Sequence, residues 1–305
     1  MRHLSISSKL FSNNRQKLCG KLPDKAIAVA NANDVLPTNA DGTLPLHPNS
    51  DLFYLSGIEQ EESLLVLFPD CSNPKHREIL FVRQPSEHLK IWEGYKHSKE
   101  DAQKISGIQT VYWTEDFDNI FQLLAAEAEV FYLNDNEHNR AANEVETREQ
   151  RFNRKVLKDY PLHKIERLAP YLHDLRFCKS AEEIKLIKTA IDVTSRGFSK
   201  VLRRIKPGIT EFEIEAEWAK EFIRRRSKFA YTPIIASGTN ACVLHYLQND
   251  QTCRKGQLLL MDVGACYANY NADLTRTIPV SGKFSRRQKQ VYNAVLRVLR
   301  QCINN

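Results

Sequence analysis

Over the first 177 residues, short apolar runs alternate with stretches of helical period, and this alternation limits the possible folds more than any other property of the chain. Runs that read as strands lie at residues 26–30, 52–55, 64–68, 79–82, 110–113 and 130–133, with helical spacing over 8–22, 116–127 and roughly 142–158. Strands interleaved with helices that each bury one face give an α/β layer structure. The pattern changes at 177–180, where Ser180 and Glu183 form a capping box that opens a long helix running towards Ile205. Lys206-Pro207-Gly208 stops that helix, Thr210 with Glu213 opens a second towards Arg226, and a strand is expected at 232–236. Two domains are expected, residues 1–176 and 177–305.

Composition excludes more than it selects. With 42% hydrophobic and 27% charged residues among 305, the chain has ordinary soluble composition. No run approaches the roughly 18 apolar residues of a membrane span, and MRHLSISSKLF lacks the apolar core of a secretory signal. A cytoplasmic protein with no membrane partner is expected. Seven cysteines lie scattered without a C-x-x-C, which suits reduced thiols better than a disulfide frame or a zinc site. The net charge of +7 raises the question of nucleic acid. Its basic clusters, Arg203-Arg204, Arg224-Arg225-Arg226 and Arg286-Arg287, read as solvated helix faces, because no aromatic-interleaved strand or zinc-finger spacing accompanies them. No nucleic-acid partner is expected.

Chemistry concentrates in LLLMDVGACYANYNADLTRT, where Asp262 and Asp273 stand eleven residues apart on segments that read as strands. A carboxylate at the end of an apolar run such as Leu258-Leu259-Leu260-Met261 is costly unless a cation or hydrogen bonds compensate it. A hairpin about Tyr267 and Ala268 would set the two carboxylates opposite each other on one face, where they repel unless a divalent cation lies between them. Oxygen ligands suit Mn, Mg or Ca, with Zn possible. The plainer reading is two solvated hairpin acids beside a turn rich in asparagine.

The wider sequence moves the balance towards the metal. SGTNACVLHYLQND, then GQLLLMDVG, then YNADLTRTIPVSGKFSRRQKQVYNAVL resembles the Xaa-Pro aminopeptidases (aminopeptidase P) of the pita-bread metallopeptidase superfamily. LHPNSDLFYLSGIEQEESLLVL and KIWEGYK resemble the same family's N-terminal signature and tryptophan-bearing loop, so the likeness runs nearly end to end. It implies an α/β N-terminal domain of the creatinase/aminopeptidase P type, followed by the first half of an α+β pita-bread catalytic domain. It also implies that Asp262 and Asp273 bind a pair of divalent metal ions, usually manganese, with Asp273 bridging both. His245, on the L-H-Y histidine, would act catalytically beside them by stabilising the tetrahedral intermediate, and Trp92 would contact substrate. The implied reaction releases the N-terminal residue of a peptide with proline in second place, and the implied full-length assembly is a homo-oligomer.

The family completes its metal site with one histidine and two glutamates after the second aspartate, and SGKFSRRQKQVYNAVLRVLRQCINN holds neither residue type. With two of five ligands in hand, the expectation is an N-terminal fragment that is inactive alone and exposes the apolar face of the helix opened by Ser285 and Gln288. The alternatives are a non-catalytic pita-bread interaction module, against which both aspartates argue, and a metal-independent relative such as creatinase, which lacks the pair. Taken alone, His245 reads as a core histidine and Trp92, Phe53 and Tyr54 as core aromatics. Thr275 and Thr277 share the alternating face of Asp273, and Gly238 and Asn240 are expected to shape the turn before His245.

Overall fold

The computed structural model describes residues 3–140 and 144–304. Two compact units are present, one of His3–Lys179 and one that starts at Ser180. In chain order the first contains α1 (Ser8–Cys19), β1 (Ala26–Asn31), α2 (Ser50–Ser56), β2 (Leu64–Leu67), β3 (Glu78–Val82), α3 (Glu87–Trp92), α4 (Lys99–Ser106), β4 (Thr110–Trp113), α5 (Phe117–Ala125), β5 (Val130–Leu133), α6 (Arg148–Asp159), β6 (Lys164–Arg167) and α7 (Ala169–Phe177). The second contains α8 (Ala181–Val201), α9 (Glu211–Arg224), β7 (Lys228–Phe229), β8 (Ile234–Ser237), β9 (Leu258–Asp262), β10 (Ala265–Tyr267), β11 (Tyr270–Asn271), β12 (Thr275–Pro279) and α10 (Arg286–Asn304).

The first unit is a six-stranded sheet in the order β4-β3-β2-β1-β5-β6, with β2 antiparallel to β1 and β3, and β5 parallel to β1 and β6. β1 is buried along its whole length because both faces are covered. Period-2 alternation splits it: Ala26, Ala28 and Ala30 join one core with Leu18 and Leu55, while Ile27 and Val29 join the other with Phe121 and Phe131. Burial of these two faces supplies the main favourable term in the unit's stability.

One strand expectation is wrong. Residues 52–55 lie in the helix α2, where Asn49 Oδ1 accepts from the amides of Asp51 (2.9 Å) and Leu52 (3.0 Å). Gly57 closes the helix at φ 73°, and a Cβ there would sit 2.4 Å from the Phe11 ring. Four adjacent apolar residues show neither period, and the caps decide. The helix expected from residue 142 starts at Arg148, after the N-cap Thr147, whose side chain accepts from the Gln150 amide; Ala142 itself lies outside the described residues.

In the second unit α8 packs against α9 and against β10 and β11 of a small sheet ordered β11-β10-β7, and α9 packs against β7 and against β8 of a second sheet ordered β12-β9-β8. Trp218 and Phe222 of α9, Val193 and Val201 of α8, and Leu259 and Met261 of β9 form the unit's core. Both expected capping boxes form: Ser180 N–H donates to Glu183 (2.8 Å), and Thr210 N–H and Oγ1 donate to Glu213 (both 2.8 Å). The box at Ser285 and Gln288 forms as well, and on α10 Val295, Val298 and Ile303 are 63%, 60% and 73% exposed.

Candidate metal centre

β9 pairs with β8 on one side and β12 on the other. Alternation sends Leu259 and Met261 into the core and leaves Leu260 and Asp262 on the opposite face, half-buried. The turn of the following hairpin is centred on Ala268 and Asn269, both with positive φ (51° and 61°), one residue later than the sequence suggested. Two consecutive positive φ values give the turn whose twist matches paired strands. The shift changes the register: Thr275, not Asp273, stands opposite Asp262. Asp273 is diagonal to Asp262, just ahead of β12 and exposed.

Two features close the gap. Val263 N–H donates to Leu274 O (3.0 Å) and Ala272 N–H to Ala265 O (2.9 Å), with Gly264 between them; a Cβ on Gly264 would lie 1.8 Å from Ala272 O, so only glycine permits this approach. Ala230 N–H then donates to Gly264 O (2.9 Å), which sets the next residue, Tyr231, beside the aspartates. Its Oη lies 2.6 Å from Asp262 Oδ1 and 3.0 Å from Asp273 Oδ1.

One phenolic proton thus serves two carboxylate oxygens, and with both acids ionised one of those contacts is unprotonated. Positive charge placed between them would relieve it, and two hard carboxylates suit a divalent cation. Burial first, then the hydrogen bond to Asp262 and its charge, hold the Tyr231 phenol far above its ordinary range, so it stays a donor. Among the described residues no group of three histidine, cysteine, aspartate or glutamate side chains is placed to hold a metal.

His245 is neither in a core nor on a strand. It lies exposed at a turn beyond the short 3₁₀ segment Gly238–Cys242, and among the described residues no hydrogen bond joins it to either aspartate. The neighbouring backbone is firmly held. Glu211, fully buried at the start of α9, accepts from Ser237 N–H (2.6 Å), Tyr246 Oη (2.7 Å) and Gln251 N–H (3.0 Å). Asn249, at φ 50°, accepts from Ile235 N–H and donates to Glu215 and to Pro233 O. Trp92 ends α3 in the first unit, 72% exposed, its ring 6.0 Å from that of His88. It is not a core aromatic, whereas Phe53 and Tyr54 are.

Sequence reasoning missed Tyr231, Glu211 and Asn249. Tyr231 carries no periodic signal, and Glu211 looks like one more acid in the first turn of a helix. An aromatic with a polar tip just before a buried strand was the available hint for the first.

A model of metallopeptidase family M24 matches residues 185–305, and one of the aminopeptidase P N-terminal domain matches residues 11–132. The Xaa-Pro aminopeptidase of Escherichia coli K12 is 30% identical over 298 residues, covering 96% of this chain and 67% of the relative. Human Xaa-Pro aminopeptidase 3 is 26% identical over 97% of this chain and 58% of its own length. Among solved structures, Pseudomonas aeruginosa aminopeptidase PepP superposes with TM-score 0.87 at 27% identity, covering 96% of this chain and 66% of that one. Zinc-substituted E. coli aminopeptidase P in complex with product gives TM-score 0.84 at 29%, covering 98% and 68%. The chain therefore spans about half to two thirds of the length of the curated relatives it matches.

Proposed function

Because this chain belongs to the aminopeptidase P family of M24 metallopeptidases, we propose that Asp262 and Asp273 are its ligands to a pair of divalent cations, manganese by preference. The enzyme they serve removes the first residue from peptides with proline in second place. The convergence of both carboxylates on Tyr231 Oη carries the reading. Bound cations would supply Lewis acidity that lowers the pKa of a water at the scissile bond. Tyr231 holds the two carboxylates together with the strand backbones, so the acids meet the cations in a set geometry. His245, exposed on a loop pinned by Glu211 and Asn249, donates to the oxygen of the carbonyl under attack. Trp92 offers an exposed indole for substrate. A cytoplasmic setting and a homo-oligomeric assembly complete the proposal, and no helix among the described residues is long and apolar enough to cross a membrane.

Manganese titration read by the electron-spin resonance of the free aquo ion tests the ligand assignment. Two carboxylates leave most of the coordination sphere to water, so this chain is expected to bind weakly, with Kd on the order of millimolar. D262N or D273N should abolish that binding, and a free-ion spectrum that is the same for wild type and variants would sink the assignment. For the reaction, a polypeptide carrying this chain and supplied with manganese should release glycine from Gly-Pro-Leu and not from Gly-Ala-Leu. Equal release from both would refute the proline specificity.

A further inference from the structure

In open, mostly parallel sheets, ligands collect beyond the carboxyl ends of the strands, at the point where the chain has built outwards in both directions. In the first unit that point lies between β1 and β5: from β1 the chain lays β2, β3 and β4 on one side, then returns to lay β5 and β6 on the other. A cavity of about 950 Å³ is found there, framed by segments that follow β1 and β5. Its lining carries five carboxylates against three guanidiniums, with three imidazoles, an acidic basin in a chain of net charge +7.

All three guanidiniums are engaged: Arg151 donates to both oxygens of Asp34 (2.7 and 2.9 Å), Arg148 lies 3.9 Å from Asp34 Oδ1, and Arg176 pairs with Asp51. Glu149, 6% exposed, accepts from Asn31 N–H (3.0 Å) and Nδ2 (2.6 Å). Asn134, 2% exposed, donates through Nδ2 to Asp51 Oδ2 (3.0 Å), and its Oδ1 has no hydrogen-bond partner among the described residues. Acceptors dominate this end of the cavity, which suits a cation that brings several N–H donors. Apolar surface comes from Leu36 and Leu44, each 50% exposed and tied by Leu44 N–H to Leu36 O (2.9 Å).

We propose that this cavity binds a small molecule with a primary ammonium beside an apolar stem, the ammonium meeting Glu149, Asp51 and Asn134 Oδ1 and the stem lying on Leu36 and Leu44. The inference does not rest on the peptidase reading, since every residue it uses lies in the first unit.

Calorimetry of the chain in EDTA at pH 8 with isopentylamine, and with isopentanol as the stem without the charge, tests it. The amine is expected to bind and the alcohol not to. E149Q and L44R, the second placing a like charge on a half-exposed wall, should each weaken the amine at least tenfold, and D262N should leave it unchanged. Absence of amine binding at millimolar concentration, equal binding of the alcohol, or affinity unmoved by L44R would overturn the proposal. Loss in D262N instead would move the amine to the other unit and overturn it equally. L44R decides if E149Q fails to fold, and the manganese titration succeeds or fails independently of all these results.

Discussion

Tyr231 has one hydroxyl proton, and two carboxylate oxygens lie within 3.0 Å of it. Y231F would keep the ring and lose the donor, freeing Asp262 and Asp273 to splay apart. Because groups that orient metal ligands typically govern affinity by 10- to 100-fold, the variant is expected to weaken manganese binding by about tenfold, read by the same titration. Glu149 offers a second test at this scale. Burial, opposed by hydrogen bonds from Asn31, pushes its carboxyl from 4.5 up to about 7. Between those values the folded chain keeps a proton that the unfolded chain has released. Its contribution to stability is therefore whole below pH 4.5 and is lost as pH rises through 7. Urea unfolding of wild type and E149Q from acid to neutral pH should show the difference between them falling by about 3 kcal/mol. A pH-independent difference would contradict this.

Among the elements, the β9–β12 hairpin depends on Gly264, whose missing Cβ would otherwise lie 1.8 Å from a backbone oxygen. G264A must force the strands apart, and a loss of at least about 3 kcal/mol in urea unfolding is expected, together with loss of manganese binding. The α8–α9 contact is tight at Gly197, where a Cβ would lie 2.7 Å from the Trp218 ring. G197A should cost about 1–3 kcal/mol as an overpacked core while sparing manganese affinity, because that contact is made in the core, away from the face that carries Asp262. An equal loss of metal in both variants would show that the hairpin has no local role.

Across the whole molecule, each unit has its own core, and that of the first unit is two-sided around β1. Residues 1–179 expressed alone are expected to melt cooperatively in calorimetry; a broad, non-cooperative trace would show that this unit needs more chain to fold. The exposed row Val291, Val295, Val298 and Leu299 on α10 is a contiguous apolar stripe of helical spacing. Sedimentation should show self-association of this chain that V295K/V298K relieves.

The residues alone determined what depends on local order. The α/β alternation, the capping boxes at Ser180, Thr210 and Ser285 and the strand carrying Asp262 all follow from spacing and composition within a few residues, and the long match to a known family was legible in three ordered segments. Residues 52–55 escaped because four adjacent apolar side chains carry no period, and the asparagine before them decided for helix. The candidate site was half legible. Its two acids were visible, but their diagonal register came from a turn shifted by one residue, and Tyr231, 31 positions upstream of Asp262 in sequence, reaches them only through β7 and β10 pairing. Only the folded chain could decide such contacts, because hydrogen bonds between distant segments depend on strand pairing in space, and local periodicity holds no record of it.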